Sequence, residues 1–572
     1  REGRLAAHLT LRLPAMWWPA GLGPQAVHAM RVTVGERTRV FRVALRDIRL
    51  VSEPDAVGRS FKLRVNGREV FARGANWIPA DALAGRITEA ATRDLLQSAA
   101  DANMNMIRVW GGGRYEPPSF YEACDELGLL VWQDFMFACN LYPATEEFLA
   151  EAACEAEYQA ARIGHHVALW CGDNEQIGAL TWFPESRANR DRYLVAYDRL
   201  NRTLEAALKR TLPEANWWPS SPSPGPMSFG DAWHDDTSGD MHFWSVWHEG
   251  RDFAHYRDVK PRFCSEFGFQ SYASLDVIRS FAGEEDLNIA SAVIESHQKN
   301  VGGNARIAET MFRYFRFPEG FANFVWLSQV QQGVAIKTAV DYWRSCKPHC
   351  MGALYWQLND TWPVASWSSL DYGGGWKVLH HMARRFFAPV TVTAIPEADG
   401  FRITAVNDGA DPVDVAVELF AAGMDGATRP IGSAEAKVGT EAAVTLTELV
   451  AGDLGDGEIL AYRWRASNGA AGGDHALAGR YKALDLRDPG LTLATEVRDG
   501  ALVARIDVRA LALFVTLEAD RAGRFSSNAV TLFPGQPAEI VFTPADGDPT
   551  AVRLIARDLW SSAQPAKRGI AA

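Results

Sequence analysis

The feature that most constrains the fold is a regular alternation of short apolar runs and helical stretches between residues 71 and 389. Repeated strand–helix units predict a parallel sheet, because parallel strands need a crossover connection that a helix supplies. Eight strand candidates in this region predict a (β/α)8 TIM barrel, with functional groups at the C-terminal ends of the strands. In chain order the candidates are FARGANWIP, MIRVWGG, LLVWQDF, VALWCGDNE, NWWPSS, MHFWSVW, RFCSEFGF and GALYWQL.

Apolar and polar residues alternate on both sides of this region, as they do in half-buried antiparallel strands. The chain of 572 residues is long enough for several domains of roughly 150 residues each. We predict a multidomain α/β plus all-β protein whose barrel is flanked by immunoglobulin-like β-sandwiches. The predicted units are the remainder of a sandwich over 1–60, the barrel over 61–389, a second sandwich over 390–483 and a C-terminal sandwich over 484–572.

The amino-acid composition argues against two classes of binding partner, nucleic acids and membranes. The 58 basic and 70 acidic side chains give a formal net charge of -12, the wrong sign for a nucleic-acid partner. No apolar run approaches the ~18 to 20 residues that a membrane span needs, so no membrane partner is expected. Seven scattered cysteines favour a reducing cytoplasm, with a periplasmic or secreted location left open because the chain begins with Arg1 and an upstream segment is expected to be missing.

We expect neither a metal nor a cofactor. Cys346, His349 and Cys350 form a poor zinc signature, since Cys-x3-Cys with one adjacent histidine lacks a second ligand pair. The run Gly111 to Gly113 lacks the downstream lysine of a phosphate-binding loop. The 20 tryptophans, in contrast, suit stacking against the flat apolar faces of sugars, or packing in the core.

Two glutamates stand at the ends of apolar strand candidates. Glu175 closes VALWCGDNE, and Glu266 is embedded in RFCSEFGF. A buried carboxylate is costly unless it is paired or functional, so each is either a structural ion-pair partner or a catalytic group. Glycoside hydrolysis uses one protonated and one ionised carboxyl. Desolvation near Trp170 and Trp182 favours Glu175 as the acid/base.

An ionised Glu266 needs a nearby cation. Arg108, at the end of MIRVWGG, is the strand-end arginine that we expect beside it. The alternative for Arg108 is a buried pair with another acid.

Several segments together resemble the β-mannosidases of glycoside hydrolase family 2, from about Trp17 to at least Pro389. The segments are VNGREVFARGANWIPAD, NMNMIRVWGGGRYE, CDELGLLVWQDFMFAC, ALWCGDNE, CSEFGFQS and LYWQLNDTWPVASW. The resemblance implies a retaining exo-enzyme that removes terminal non-reducing β-D-mannose by double displacement. It implies Glu175 as acid/base and Glu266 as nucleophile, in agreement with the assignment from the residues. The implied partner is an oligosaccharide with a terminal β-mannose, and the oligomeric state stays open.

The resemblance also implies a set of substrate-binding side chains. Asn174 is expected to hydrogen-bond the 2-hydroxyl of the sugar, which is axial in mannose, and Asp134 to bind hydroxyls. Trp110 and Trp356 are expected to wall the terminal sugar. The remaining candidates are Trp182, His242 and Trp244, against the alternatives of packing for the tryptophans and of a strand cap for the histidine.

The sequence departs from the family pattern at two points. An N-terminal jelly-roll domain and the start of the following sandwich are expected to be missing. Related barrels place a tyrosine against the nucleophile from the sixth strand, where MHFWSVWHEG has Phe243, and Tyr256 is a candidate for that hydroxyl only by its proximity in sequence. Rival functions are a related family 2 exo-glycosidase, such as a β-glucosaminidase or β-galactosidase, and a non-catalytic glycan-binding protein.

Overall fold

An eight-stranded parallel sheet forms the centre of the protein, in a computed structural model that describes residues 9–230, 233–565 and 570–571. Its strands are β6 (Ala72–Trp77), β7 (Met106–Val109), β8 (Leu130–Asp134), β9 (Val167–Cys171), β10 (Trp217–Trp218), β11 (Met241–Phe243), β12 (Cys264–Phe267) and β13 (Gly352–Tyr355). The strand order is β10-β9-β8-β7-β6-β13-β12-β11. The sheet therefore curls into a barrel-like arrangement in chain order, and the predicted fold class is confirmed.

Strands β10 and β11 lie at the two ends of this sheet and are joined by side chains. Trp218 Nε1 donates to Asp240 Oδ1 at 2.8 Å, and Ser221 Oγ donates to Asp240 Oδ2 at 2.7 Å. The candidate NWWPSS contributes only Trp217 and Trp218 as a strand. A two-residue strand offers few backbone hydrogen bonds to its neighbours. The buried Asp240 carboxylate therefore connects β10 to β11 at the place where the two ends of the sheet meet, which we call the seam.

Helices cover the outside of the sheet. They are α1 (Glu89–Asp101), α2 (Pro118–Leu127), α3 (Glu146–Ile163), α4 (Gln176–Ala179), α5 (Pro184–Ala188), α6 (Arg190–Thr211), α7 (Ser245–His248), α8 (Leu275–Arg279), α9 (Ala292–Ser296), α10 (Gly303–Tyr314), α11 (Phe321–Ser345) and α12 (Val378–Phe386). Side-chain caps fix three of the starts: Thr88 accepts from Ala91 N, Thr145 from Phe148 N, and Ser291 from Ile294 N. Every residue of β6, β7 and β8 is buried, as expected where helices cover one face and packed side chains fill the other.

Antiparallel sheets surround the barrel. On the N-terminal side a hairpin joins β1 (Val27–Val34) to β2 (Arg37–Ala44), and a second sheet contains β3 (Ile48–Val51), β4 (Lys62–Val65) and β5 (Arg68–Val70). Beyond α12, a three-stranded and a four-stranded sheet share one core; their strands are β14 (Val390–Glu397), β15 (Gly400–Asn407), β16 (Val413–Ala422), β17 (Thr428–Val438), β18 (Ala442–Val450), β19 (Ile459–Ala466) and β20 (Ala471–Ala476).

Two further sheets enclose another core. They contain β21 (Thr492–Arg498), β22 (Ala501–Asp507), β23 (Ala512–Ala519), β24 (Gly523–Phe525), β25 (Val530–Leu532), β26 (Ala538–Pro544), β27 (Leu554–Arg557) and β28 (Ile570–Ala571). The boundaries at residues 60, 389 and 483 stay predictions. Within the described residues, no helix has the length and apolar character to cross a membrane.

A buried ion cluster joins the barrel to the sandwich that follows it. Asp408, in the turn after β15, accepts from Arg73 at 3.3 Å and from Arg344 at 2.7 Å, and it contacts Lys347. Glu441 lies 3.2 Å from Lys347. Arg73 stands near the start of β6, so the cluster lies at the N-terminal ends of the barrel strands, the end associated with stability in such barrels.

We predict that Asp408→Asn lowers the stability of the protein strongly. The substitution leaves several buried cations without their shared anion, a change that costs about 3–5 kcal/mol. Differential scanning calorimetry should show a lower Tm for the first transition. Glu418→Gln is the matched control, because the pair of Glu418 with Arg465 is exposed and separated by 3.5 Å. Equal Tm values for the two variants would contradict the prediction.

Candidate active site

Glu175 lies just beyond the C-terminal end of β9, in a tight turn that leads into α4. Its φ of 58° is in the left-handed region, and its N–H donates to Ser221 O at 2.7 Å. A non-glycine residue in this conformation is held there by its surroundings. The turn aims the Glu175 side chain into the barrel, where it is buried.

Glu266 is the third residue of β12 and is also buried. Its Oε1 accepts a hydrogen bond from Arg108 Nη1 at 2.5 Å. Arg108 lies on β7, within the MIRV run, so the strand-end arginine selected from the sequence stands directly against this glutamate.

Arg108 is completely buried and is held on several sides. Its Nη2 donates to Asp134 Oδ2 and to Asn174 Oδ1, each at 2.7 Å. Its Nη1 also donates to Asn76 Oδ1 at 3.0 Å. Burial lowers the pKa of Arg108, but the carboxylates of Asp134 and Glu266 together raise it by more than burial lowers it. The guanidinium therefore stays charged. Arg108 is thus a fixed cation that bonds to Glu266 and to Asn174, the residue before Glu175.

His242, on β11, contacts both glutamates. Its Nδ1 lies 2.7 Å from Glu175 Oε1 and 3.4 Å from Glu266 Oε2. One oxygen of each carboxylate and one ring nitrogen lie within 4.8 Å of one another. Burial, and then the charge of Arg108, hold the pKa of His242 well below its usual range, so the ring is neutral.

The two carboxyls have different surroundings. Burial, and then the charge of Glu266, raise the pKa of Glu175 to about 8. Burial also raises the pKa of Glu266, to about 7, while the charge and hydrogen bond of Arg108 lower it. Such coupled carboxyls titrate as a pair. Because Arg108 is bonded to Glu266, the arrangement favours the charge on Glu266 and the shared proton on Glu175.

Three tryptophans follow strands of the barrel: Trp110 after β7, Trp244 after β11 and Trp356 after β13. Trp110 and Trp356 pack edge to face with ring centroids 5.0 Å apart. The backbone N–H of Gly111 donates to Asp134 Oδ2, which places the Trp110 loop next to the arginine network. Gly268 leaves room for two of its neighbours, since a Cβ there would lie 2.5 Å from Trp356 O and 3.0 Å from the Trp244 ring. The side chains of Trp110, Trp244 and Trp356 are half-buried.

Trp244, which directly follows β11, is a candidate for the donor that the sequence could not place. A hydrogen bond from its side chain lowers the pKa of Glu266, as a tyrosine hydroxyl from the same strand would. The Tyr256 hydroxyl instead donates to Gly268 O at 3.3 Å. The suggestion of Tyr256 as the missing hydroxyl is therefore not supported, because its proton is directed at a backbone carbonyl.

Trp182 differs from the other tryptophans of the predicted site. It is 46% exposed and stacks on Trp233 with centroids 5.6 Å apart. Its observed contact is with this neighbouring ring, whereas Arg108, Asp134, Asn174, Glu175, His242, Trp244 and Glu266 form one connected network.

Sequence reasoning missed three contacts of this network. Asn76 holds Arg108; the Cys139 thiol donates to Glu175 Oε2 at 3.4 Å; and Ser221 Oγ lies 3.0 Å from His242 Nε2. Ser221 ends the strand candidate NWWPSS, a position from which it could have been selected. Asn76 lies inside the candidate FARGANWIP and Cys139 lies on a loop, and no spacing rule connects them to the glutamates.

Comparison with known proteins decides the family. A crystal structure of a β-D-mannosidase from Dictyoglomus thermophilum superposes with a TM-score of 0.87 at 30% sequence identity, covering 96% of this chain and 69% of that one. The chain belongs to the β-mannosidase family of glycoside hydrolase family 2. A curated β-mannosidase from Capra hircus is 38% identical over 425 residues, which are 68% of this chain and 48% of the relative. The chain spans about half the length of the curated relatives it matches.

Two more comparisons concern the fold. An Ig-fold domain model of mannosidases matches residues 486–562, the region of the C-terminal sheets. An exo-chitosanase from Amycolatopsis orientalis superposes with a TM-score of 0.74 over 97% of this chain and 71% of that one. At 16% identity this second likeness indicates a shared fold alone.

We predict that Glu266→Gln lowers the pKa of Glu175 below its value of about 8, because the substitution removes the negative charge that raises it. Carbon-13 NMR of selectively labelled glutamate side chains would follow the titration, with Glu175→Gln identifying the signal. Glu185→Gln, at an exposed position, should leave the titration of Glu175 unchanged. An unchanged or higher pKa in Glu266→Gln would contradict the prediction.

Proposed function

We propose that the protein is a retaining exo-β-mannosidase that hydrolyses terminal non-reducing β-D-mannose residues of oligosaccharides. Membership of the β-mannosidase family supports the substrate class. The observation that carries the mechanism is the pair of buried glutamates, set against one histidine at 2.7 and 3.4 Å and distinguished by Arg108.

The proposed reaction has two displacements. Glu266, ionised against Arg108, attacks the anomeric carbon while Glu175 gives its proton to the departing glycosidic oxygen. The resulting bond between Glu266 and the sugar is then broken by water, from which Glu175 takes a proton. Carboxyl oxygens within 4.8 Å of one another support this route, since retention needs carboxyls about 5–5.5 Å apart and inversion about 6.5–9.5 Å.

The other groups are proposed to hold the sugar. Asn174, whose Oδ1 is fixed by Arg108, offers its amide N–H to the 2-hydroxyl, a contact that strengthens as charge develops at the anomeric carbon. Asp134 is fixed by the same arginine and binds hydroxyls, while Trp110 and Trp356 wall the ring. Trp182, whose side chain is 46% exposed, is proposed as a further substrate contact.

Variants of the two glutamates test the roles. Glu266→Ala should abolish turnover of aryl β-mannosides, because no glycosyl–enzyme bond forms. Glu175→Ala should lose activity on phenyl β-mannoside but keep the first displacement with a 2,4-dinitrophenyl leaving group, which needs no protonation. Azide should then restore turnover and give a β-mannosyl azide, detected by NMR.

The controls separate catalysis from folding and from substrate choice. Glu185→Gln should retain wild-type turnover, and circular dichroism should match across the variants. Aryl β-glucosaminide and β-galactoside should be poorer substrates than the mannoside. Wild-type rates in Glu266→Ala, or preference for another sugar, would contradict the proposal.

The pH dependence follows from the same two groups. Activity needs Glu266 ionised, which is favoured above its pKa of about 7, and Glu175 protonated, which is favoured below its pKa of about 8. We expect kcat/KM for phenyl β-mannoside to be bell-shaped, with its maximum between these values. A profile still rising two units above the higher value would contradict this assignment.

A further inference from the structure

A line of buried polar groups runs from the barrel seam to Glu175. Asp240 Oδ2 accepts from Ser221 Oγ at 2.7 Å, Ser221 Oγ lies 3.0 Å from His242 Nε2, and His242 Nδ1 lies 2.7 Å from Glu175 Oε1. The inference below rests on the proposed role of Glu175, but it concerns where the hydrogens of this line lie.

Asp240 fixes the direction of the Ser221 hydroxyl. Its Oδ1 accepts from Trp218 Nε1 and Ser223 N, and its Oδ2 from Ser221 and Ser265, so the carboxylate is surrounded by donors. A serine has a single hydroxyl hydrogen, and a charged acceptor at 2.7 Å is preferred over a neutral imidazole nitrogen at 3.0 Å. Ser221 therefore offers His242 a lone pair, and Nε2 carries the hydrogen.

The hydrogens at Glu175 agree with this direction. A neutral carboxylic acid has one hydroxyl that needs an acceptor and one carbonyl oxygen that can accept. Cys139 donates to Oε2, and burial, followed by the charge of Glu175, raises the pKa of that thiol, which keeps its hydrogen. The hydroxyl of the acid then lies on Oε1, where His242 Nδ1 is 2.7 Å away.

We propose that Asp240 and Ser221 are positioning residues that fix His242 as its Nε2–H tautomer, so that Nδ1 accepts the proton that Glu175 holds between turnovers. When Glu175 has given that proton to the leaving group, its carboxylate faces the Nδ1 lone pair. The resulting repulsion strengthens Glu175 as the base that takes a proton from water. One fixed ring thus serves both displacements.

Other charged groups act on the same proton. Among the described residues, the titratable and charged groups that act on Glu175 or His242 are Arg108 from β7, Cys139 from the loop after β8 and Glu266 from β12. Arg108 and Glu266 oppose each other in their effect on Glu175. The tautomer of His242 decides whether its Nδ1 accepts a hydrogen bond from Glu175 or donates one to it.

Nitrogen-15 NMR of protein labelled at histidine tests the tautomer without any activity measurement. In the wild-type chain near pH 7, Nδ1 of His242 should carry the chemical shift of an unprotonated ring nitrogen and Nε2 that of a protonated one. The chain has 13 histidines, so His242→Gln identifies the signal. A protonated Nδ1 in the wild type would overturn the proposal, whether or not the protein hydrolyses mannosides.

Ser221→Ala tests the consequence for catalysis. Without the Ser221 acceptor, the ring is free to place its hydrogen on Nδ1 and donate to Glu175. The alkaline limb of kcat/KM for phenyl β-mannoside should then move down by about one pH unit. With the 2,4-dinitrophenyl substrate, whose first displacement needs no acid, kcat at pH 7 should fall, because an Nδ1–H that donates to Glu175 makes it a weaker base for the second displacement.

Ser220→Ala is the matched control. Ser220 is also buried, but its hydroxyl donates to Asp173 rather than to the line from Asp240. Its pH profile should follow that of the wild type. A Ser221→Ala profile that coincides with wild type, or an equal shift in both variants, would overturn the proposed positioning role. Absence of turnover in the wild-type protein would instead contradict the proposed function and leave the NMR result standing.

Discussion

The site depends on one completely buried guanidinium. Arg108 bonds to Asp134, Asn174, Asn76 and Glu266, so a single cation orients side chains from four other segments of the barrel. A lone buried charge would be prohibitively costly, and the arrangement is stable because every partner offers an oxygen. The same charge distinguishes the two glutamates, since only Glu266 is bonded to it. The difference in their surroundings follows from the position of the arginine on β7.

The seam of the barrel and the chemistry of the site share a residue. Asp240 joins β10 to β11 through Trp218 and Ser221, and through Ser221 it also faces His242. The short β10 gives little backbone pairing at this point, so side chains hold the ends of the sheet. The alignment of β10 with β11 therefore sets the distances between Asp240, Ser221 and His242, and so the position of the histidine against Glu175.

The fold could be predicted from the sequence because its signals are local. Apolar runs separated by helical patterns gave the order of the barrel strands, and α2 begins at Pro118 and ends at Leu127, as its proline and following glycine indicate. Glu175, Glu266 and Arg108 could be selected because each ends or interrupts such a run. Asp240 could not be selected in this way, since it stands before a strand candidate and its contact with Ser221 depends on how β10 and β11 meet. Ser221 ends the candidate NWWPSS, but a serine there gives no sign that it contacts a histidine of the next strand. The Trp244 indole gave no signal that separates a donor from a packing residue.

The cluster around Asp408 also bears on how separable the units of this protein are. Its anion comes from a turn of the sandwich, whereas Arg73, Arg344 and Lys347 belong to the barrel portion of the chain. A barrel excised after its last helix would carry three like charges in a former interior, with water as their only counterpart. The neighbouring sandwich thus supplies the anion for buried cations of the barrel, and transplanting the barrel into another protein would require that turn as well.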